Sequence, residues 1–355
     1  MVIKINPNQQ ALWLDPKRMQ LGLGKDRVQL GALSPAQEQL IATLYRGIAN
    51  QQLPVIAKQL GLAEAETERI LEQVGPLLLR ERAVSERELS AEFVAAAFAE
   101  IIGASLMHSA DGQAVLLERA QRSIHVEDLS KPGLAVSLGL AAAGIGHLLT
   151  HDLELVGSKD LGPTGYPSQL GGQARIVALR ALLAASPNQT LVSNAHRIAE
   201  RNIEAIDCAV LVGQQVIAPK RYARWLNRDV PHIAIVFDTE GVWVSPVIVP
   251  GKSPCLFCLE RLRTDEDSNW PVLASQLTTS KTRMDDAGSQ LFAAGLAVQK
   301  VLAQVDAIAG FDWNEEQRVG YRLDRASGQI TELKWPEHAE CGCRLTPGQE
   351  LSEES

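Results

Sequence analysis

The sequence lacks an excess of positive charge. Its 34 Lys and Arg residues are outnumbered by 42 Asp and Glu residues, which gives a formal net charge of −8 at pH 7. Nucleic acids and anionic membrane surfaces attract basic proteins, so this balance gives no support for either partner. We therefore expect no membrane partner, and a nucleic-acid partner is disfavoured.

The sequence also shows neither a long hydrophobic run nor a secretory signal. The most apolar stretch, GLAVSLGLAAAGIGHLL, is interrupted by glycines and is shorter than the ~20 residues that span a bilayer. The first residues, MVIKINPNQQALWLD, contain no basic segment followed by an apolar one. These features predict a cytoplasmic protein.

Cysteine is scarce, and the count of 5 is odd. An odd number in a chain without a secretory signal argues against a disulfide framework. One of the cysteines, Cys208, lies within an apolar run and is interpreted as a small core residue.

The other four cysteines form two close pairs, Cys255-Leu-Phe-Cys258 and Cys341-Gly-Cys343. Two thiolate pairs brought together make a tetrahedral sulfur site, the closed geometry that structural zinc prefers. The alternatives are four unrelated buried thiols, or a site in which His338 replaces one ligand. A redox pair is disfavoured, because the first pair shows no helix start of the thioredoxin kind. We predict structural zinc, which would connect the end of the chain to the middle of the sheet.

Residues 1–85 are predicted to form a small winged helix-turn-helix domain. Short β-like segments are separated by turn residues, and three helical segments follow, the first opened by a capping box at Ser34. The last of these helices carries four glutamates between residues 64 and 72, a poor surface for phosphates. Peptide docking at a short strand edge beside a helix is therefore favoured over DNA reading.

The rest of the chain is predicted to be an α/β domain behind a linker. Residues 86–120 are Ala-rich and are predicted to be a helical linker. Over residues 121–345, β-like runs alternate with helix-like runs, which implies a Rossmann-like, mainly parallel sheet with helices on both faces. Residues 346–355 form an acidic tail that is predicted to be disordered.

This second domain resembles the ThiF/MoeB superfamily, the fold of ubiquitin-activating-type adenylating enzymes. VIVPGKSPCLFCLER with the later ECGC is similar to the family's zinc frame, the most specific part of the match. GLAAAGIGHLLTHDLELV is similar to its helix, strand and acidic pair, and IDCAVLVGQQVIAPKRYARWLNRDVPHIAIVFDTEGV to the segment with its catalytic aspartate. The resemblance covers about residues 120–345. It implies ATP binding and adenylation of the C-terminal carboxylate of a small protein or peptide.

The resemblance also implies where a nucleotide would bind. The glycine-rich phosphate loop of the family falls on residues 128–133, where Gly133 is the only glycine. Asp128 replaces the first glycine and would repel phosphate, and Pro132 removes an N–H donor. The ribose-binding acid of the family falls on Asp152, with Glu154 two residues further on.

Further positions depart from the family pattern. The arginine-bearing stretch falls near residues 159–163 and contains no arginine, and the lysine of the next helix falls near Arg175. The magnesium-holding aspartate falls near Gln214, and a neutral amide is a poor ligand for a hard cation. No cysteine lies between residues 261 and 295, so the thioester nucleophile of some relatives is missing. Binding of ATP and magnesium is therefore disfavoured. The predicted degenerate nucleotide site comprises Gly133, Asp152, Glu154, Arg175 and Gln214.

Simpler roles stay open for several polar residues. Asp152 can be a helix cap or turn former, and Arg175 can be a solvated helix residue. His147 and His151 flank an apolar strand and are interpreted as residues in satisfied polar contacts. Residues 278–281 are interpreted as a flexible loop rather than a phosphate site.

Three functions follow from these observations. The first is a degenerate ThiF-like protein that binds a precursor (leader) peptide and presents it to a partner modifying enzyme in ribosomal peptide natural-product biosynthesis. The peptide, the partner enzyme and a homodimer formed through the sheet domain are all implied by the resemblance. The alternative is an active ATP-dependent adenylyltransferase. A transcription regulator is the third, and the acidic helix counts against it.

Overall fold

The structure, a computed structural model, describes most of the chain: residues 2–80, 88–187, 190–195, 206–311 and 319–344. By compactness the chain divides into two units, of which unit 1 is Met1–Leu117 and unit 2 is Glu118–Ser355. The domain boundaries predicted at residues 85, 120 and 345 stay predictions. The tail over residues 346–355 lies outside the described residues.

Unit 1 begins with short strands and continues with helices. The strands are β1 (Val2–Ile3), β2 (Ala11–Asp15), β3 (Arg18–Leu21), β4 (Val28–Leu30) and β5 (Ile48–Ala49). The helices are α1 (Pro35–Arg46), α2 (Leu53–Gln59), α3 (Glu64–Val74), α4 (Ala91–Ala96), α5 (Phe98–His108) and α6 (Gly112–Arg119), which runs across the division.

An antiparallel sheet in the order β2-β3-β4 is the main β structure of unit 1. Among the described strands, β2 and β4 are its edges. The turn after β4 leads into α1, where Ser34 Oγ accepts the Gln37 N–H and Gln37 Oε1 accepts the Ser34 N–H. The predicted capping box is thereby confirmed, and it fixes the start of the first helix.

The core of unit 1 lies between this sheet and the helices. Buried side chains from β3, β4, α1 and α3 meet there, among them Leu21, Leu30, Leu40, Leu44 and Ile70. A buried polar contact attaches α5 as well, because the Asn6 amide donates to the Ser105 carbonyl oxygen at 3.0 Å. The Ser105 hydroxyl donates in return to Asn6 Oδ1 at 3.2 Å. Helix α5 is therefore part of this fold.

Unit 2 is an α/β structure. Its strands are β6 (Ser123–Val126), β7 (His147–Thr150), β8 (Leu191–Asn194), β9 (Cys208–Gln214), β10 (His232–Phe237), β11 (Gly241–Val244), β12 (Gly320–Asp324) and β13 (Ile330–Leu333). Its helices are α7 (Lys131–Ala142), α8 (Arg175–Ala184), α9 (Pro219–Leu226), α10 (Leu256–Glu266), α11 (Trp270–Leu277) and α12 (Ala287–Ile308).

All of these strands belong to one sheet, in the order β13-β12-β11-β10-β9-β6-β7-β8. The strands from β8 to β10 run parallel, and β11, β12 and β13 continue the sheet in antiparallel pairs. The predicted α/β fold with a mostly parallel sheet is confirmed. In such sheets, ligand sites lie at the carboxyl ends of the parallel strands.

Both faces of this sheet are covered by helices. Alternating residues of β9 show this, because Val210 belongs to the core with α7, α8 and α12, whereas Leu211 belongs to the core with α9 and α10. Cys208 lies in the first of these cores and is fully buried, as its apolar surroundings predict.

Helix α12 is long and apolar enough to span a membrane by length and composition, but 61% of its most apolar window is buried inside the fold. A buried ion pair also ties it to unit 2, since Arg119 Nη2 lies 2.7 Å from Asp306 Oδ2. Burying these charges is tolerable only because they are paired. We therefore interpret α12 as a core helix.

Candidate functional site

The four paired cysteines meet in space. Cys255 precedes α10, Cys258 lies in its first turn, and Cys341 and Cys343 follow β13. All four sulfur atoms lie within 4.8 Å of one another. The Cys255–Cys341 and Cys258–Cys343 separations are both 3.6 Å, and Cys255–Cys258 is 3.9 Å. A tetrahedron with Zn–S bonds of about 2.3 Å has edges of about 3.8 Å, so the cluster is compatible with zinc.

The alternative with a histidine ligand does not fit this geometry. Both ring nitrogens of His338 have other partners, because Nε2 lies 3.0 Å from Asp265 Oδ2 and Nδ1 accepts the Glu340 N–H at 3.1 Å. The cysteine cluster also connects segments of unit 2 that are far apart in the sequence, because 86 positions separate Cys255 from Cys341. The Trp335 indole N–H donates to the Cys255 carbonyl oxygen at 2.9 Å and supports the same junction.

Asp152 and Arg175, which the sequence places in the nucleotide site, form a buried ion pair. Strand β7 ends at Thr150, and Asp152 follows in the adjoining loop. Its Oδ2 accepts from Arg175 Nη1 at 3.0 Å and from the Leu129 N–H at 2.7 Å. Its Oδ1 accepts the Glu154 N–H at 2.8 Å. Three donors of the protein therefore occupy both carboxylate oxygens.

Arg175 is not the solvated helix residue considered above, because only 6% of it is exposed. Besides Asp152, it contacts Asp160 Oδ2 at 2.9 Å and Glu154 Oε2 at 3.1 Å. The Glu154 side chain is largely exposed, whereas both aspartates are buried. The guanidinium therefore neutralises two carboxylates that would otherwise be costly to bury.

In residues 128–133, where the resemblance places a phosphate loop, two backbone N–H groups donate to carboxylates. Asp128 Oδ1 accepts the Ser130 N–H at 2.7 Å, and Asp152 accepts the Leu129 N–H. A Cβ on Gly133 would lie 1.6 Å from the Asp128 carbonyl oxygen, so only glycine fits against this loop. Two of the N–H groups that such a loop would offer to phosphate are already engaged.

Arg283 extends the ion-pair network, and nothing in the sequence pattern indicated it. Its Nη1 lies 3.0 Å from Asp160 Oδ1, and its Nη2 lies 2.5 Å from Asp285 Oδ2. Gln214, at the end of β9, donates to Asp285 Oδ1 at 3.1 Å. Gln214 is therefore connected to Arg175 indirectly, through Asp285, Arg283 and Asp160.

The two histidines beside β7 are engaged in polar contacts, as interpreted from the sequence. His147 Nε2 lies 2.9 Å from the Ser193 hydroxyl. His151 Nδ1 lies 2.6 Å from Nε2 of His125, and its Nε2 lies 3.1 Å from Arg224. His125 is fully buried, and burial, with His151 and Arg224, holds the pKa of its ring well below the ordinary value. This histidine pair was not predicted.

A groove of about 590 Å³ lies elsewhere in unit 2, between α9, α10 and α11. Its walls are mainly apolar and include Ile217, Tyr222, Phe257 and Trp270. None of the five candidate nucleotide residues lines it. This groove is therefore a separate feature from the candidate nucleotide site.

Comparison with known proteins supports the fold. The sequence matches no protein-family model and no curated protein. Among solved structures, E. coli MccB with ATP has a TM-score of 0.67 at 14% identity, covering 97% of this chain and 99% of that chain. The "Microcin C7 biosynthetic enzyme MccB in complex with N-formylated MccA" has a TM-score of 0.68 at 12% identity, with coverages of 97% and 100%.

A third similar structure is that of PaaA, with a TM-score of 0.60 and 17% identity. It covers 79% of this chain and 95% of that chain. Likeness at these identities shows the fold. The chain therefore shares the fold of MccB over 97% of its length.

Removal of one sulfur ligand tests the cysteine cluster. We expect Cys258→Ala to lose bound zinc and to lower the free energy of unfolding by several kcal/mol, because the metal closes a long loop. Metal content by mass spectrometry and thermal melting measure both effects. Cys208→Ala is the matched control, since it removes a buried thiol outside the cluster. Unchanged zinc content and melting in Cys258→Ala would contradict the four-sulfur site.

Acid unfolding tests whether Asp160 acts as an ionised partner. Burial opposes its ionisation, but hydrogen bonds from Arg175, Gly157 and Arg283 outweigh burial and hold the pKa of Asp160 below 3.8. Its stabilisation is therefore present above the unfolded-state pKa and is lost as the pH falls through the folded pKa. In urea unfolding below pH 3.8, we expect Asp160→Asn to lose stability less steeply than the wild type. Equal slopes would show that Asp160 contributes nothing as a charge.

Proposed function

We propose that this chain is a catalytically degenerate ThiF-like protein that binds a precursor peptide and presents it to a partner modifying enzyme in ribosomal peptide biosynthesis. The degenerate nucleotide site is supported by the ion pair between Asp152 and Arg175, in which the two candidate residues bind each other. Peptide binding is supported by the fold, because MccB, which has a similar fold, has been crystallised with the peptide MccA.

The energetics of the ion pair favour a degenerate site. A ribose hydroxyl or a phosphate would compete with these partners for Asp152 and Arg175. Removing one member of a buried pair leaves an uncompensated charge and costs about 3–5 kcal/mol. A nucleotide that separated Asp152 from Arg175 would therefore bind more weakly.

Unit 1 is proposed to be a winged-helix module that captures the peptide by strand addition. The β4 edge of its sheet pairs with no other described strand on its outer side, and α3 packs beside β4. A strand edge offers unpaired N–H and C=O groups, and the adjoining helix provides a wall for peptide side chains. The exposed glutamates of α3 make nucleic acid the less suitable occupant of this surface.

Several further properties belong to this proposal. Zinc held by the four cysteines has a structural role, because four thiolates leave no open coordination position. A homodimer forms through unit 2, and the protein acts in the cytoplasm beside its partner enzyme. Light scattering of the purified protein tests the dimer directly, and a monomeric mass would contradict the proposed homodimer.

The second candidate function is an active adenylyltransferase that acts on the C-terminus of a peptide or small protein. The likeness to MccB, crystallised with ATP and aligned over 97% of this chain, favours it. So does the placement of Asp152 and Arg175 beside the loop that contains Gly133. Release of pyrophosphate in the presence of a peptide substrate distinguishes this candidate from a binding protein.

Hydrogen exchange with a bound peptide tests the proposed function. Synthetic peptides that tile the short reading frames next to the gene are the probes. With a binding peptide, we expect slower exchange at β4 and α3, because an added strand occupies the free amides of that edge. The other edge, β2, is the internal control and should be unchanged. Binding that protects only β2, or no part of unit 1, would contradict strand addition at β4.

A further inference from the structure

Residues 278–286 connect α11 to α12 without regular secondary structure, yet they are held at many points. We call this segment the strap. It contacts Gln214 at the carboxyl end of β9, and it contacts Asp160 in the loop that follows β7. The flexible loop expected from the sequence at residues 278–281 therefore leads directly into a firmly attached stretch.

Two consecutive glutamines at the carboxyl end of β9 contact the strap. Gln214 Oε1 accepts the Met284 N–H at 2.9 Å, while Gln214 Nε2 donates to Asp285 Oδ1 at 3.1 Å. Gln215 Nε2 lies 3.3 Å from the Met284 sulfur. Gln215 has a φ of 67°, and the Val216 N–H returns to the Gln214 carbonyl oxygen at 2.8 Å. Such a tight turn is unfavourable for a residue other than glycine, and this one places both side chains against the strap.

Charged groups fasten the strap at its sides. Arg283 joins Asp285, within the strap, to Asp160, which is bound in turn to Arg175. Arg325 Nη2 donates to the Met284 carbonyl oxygen at 2.8 Å. The side chain of Asp285 is 4% exposed, and its partners in this position are Arg283 and Gln214. The strap thus contacts one candidate nucleotide residue, Gln214, directly, and it reaches Arg175 through Asp160.

The amide of Gln214 suits this position because it donates and accepts at once. A glutamate at this position could still accept the Met284 N–H. Its second carboxylate oxygen would then take the place of Gln214 Nε2, which lies 3.1 Å from Asp285 Oδ1. Two like charges at that distance repel each other, or one must take up a proton.

We propose that Gln214 is the latch that keeps the strap closed over the candidate nucleotide site, and that an acidic side chain at this position releases it. The inference that a closed strap helps to exclude nucleotide rests on the proposed degenerate function. The attachment of the strap does not depend on that function and can be measured in the protein without a ligand.

Trypsin cleavage after Arg283 measures release of the strap, because cleavage requires this side chain to leave both aspartates. We expect Gln214→Glu to be cut there about tenfold faster than the wild type, which corresponds to about 1.4 kcal/mol of lost attachment. Gln276→Glu is the matched control, since it adds the same charge in α11, where the amide contacts only Val272 of its own helix. Its cleavage rate should be unchanged.

Thermal melting separates release of the strap from general destabilisation. We expect Gln214→Glu to be cut faster after Arg283 at temperatures well below its melting temperature, where the folded state dominates. Equal cleavage of Gln214→Glu and the wild type after Arg283, or faster cleavage that appears only with global unfolding, would overturn the latch.

Hydrogen exchange of the unmodified protein covers the case in which Gln214→Glu does not fold. The Met284 amide should then exchange as slowly as the amides of β9, and free exchange there would overturn the latch. The outcomes are distinct from those for the proposed function. An open strap in a protein that binds peptide at β4 refutes only the latch, whereas a closed strap without peptide binding refutes only the proposed function.

Discussion

The arrangement of the candidate site depends on one buried guanidinium, that of Arg175. It lies between Asp152 and Asp160, and it neutralises charge that would otherwise be costly to bury. Asp152 in turn accepts the Leu129 N–H in the loop before α7, and Asp160 also binds Arg283 of the strap. Arg175 therefore connects the loop before α7 to the residues after β7, and Asp160 passes the connection on to the strap.

This arrangement explains how the fold shared with MccB can be kept while the candidate nucleotide residues are engaged with one another. Asp152 and Arg175, the candidates for ribose and phosphate binding, each have buried partners within the protein. In residues 128–133, the N–H groups of Leu129 and Ser130 donate to the carboxylates of Asp152 and Asp128. The four-cysteine cluster lies apart from this network and joins α10 to the segment after β13.

The sequence predicted what depends on local or paired patterns. The capping box at Ser34 is local chemistry, and strand–helix alternation predicted the parallel sheet. The spacing of Cys255 with Cys258 indicated metal ligands, although only the fold brings Cys341 close to them. These features follow from short-range rules or from a specific motif.

The ion-pair network around Arg175 could not be predicted, because it depends on contacts between distant segments. Arg175 has the sequence surroundings of a solvated helix residue, and its burial is set by loops on either side. Arg283 lies in a polar stretch without periodicity, 123 positions from Asp160. His125 lies inside an apolar strand, where its pairing with His151 depends on strand register.

Calorimetric titration of the intact protein with ATP and magnesium tests the central claim most directly. If Asp152 and Arg175 are occupied by each other, no heat of binding should appear at nucleotide concentrations near the millimolar range. A non-hydrolysable analogue should give the same result, which excludes heat from turnover. Micromolar binding would contradict a closed site and would make the adenylating function the leading interpretation.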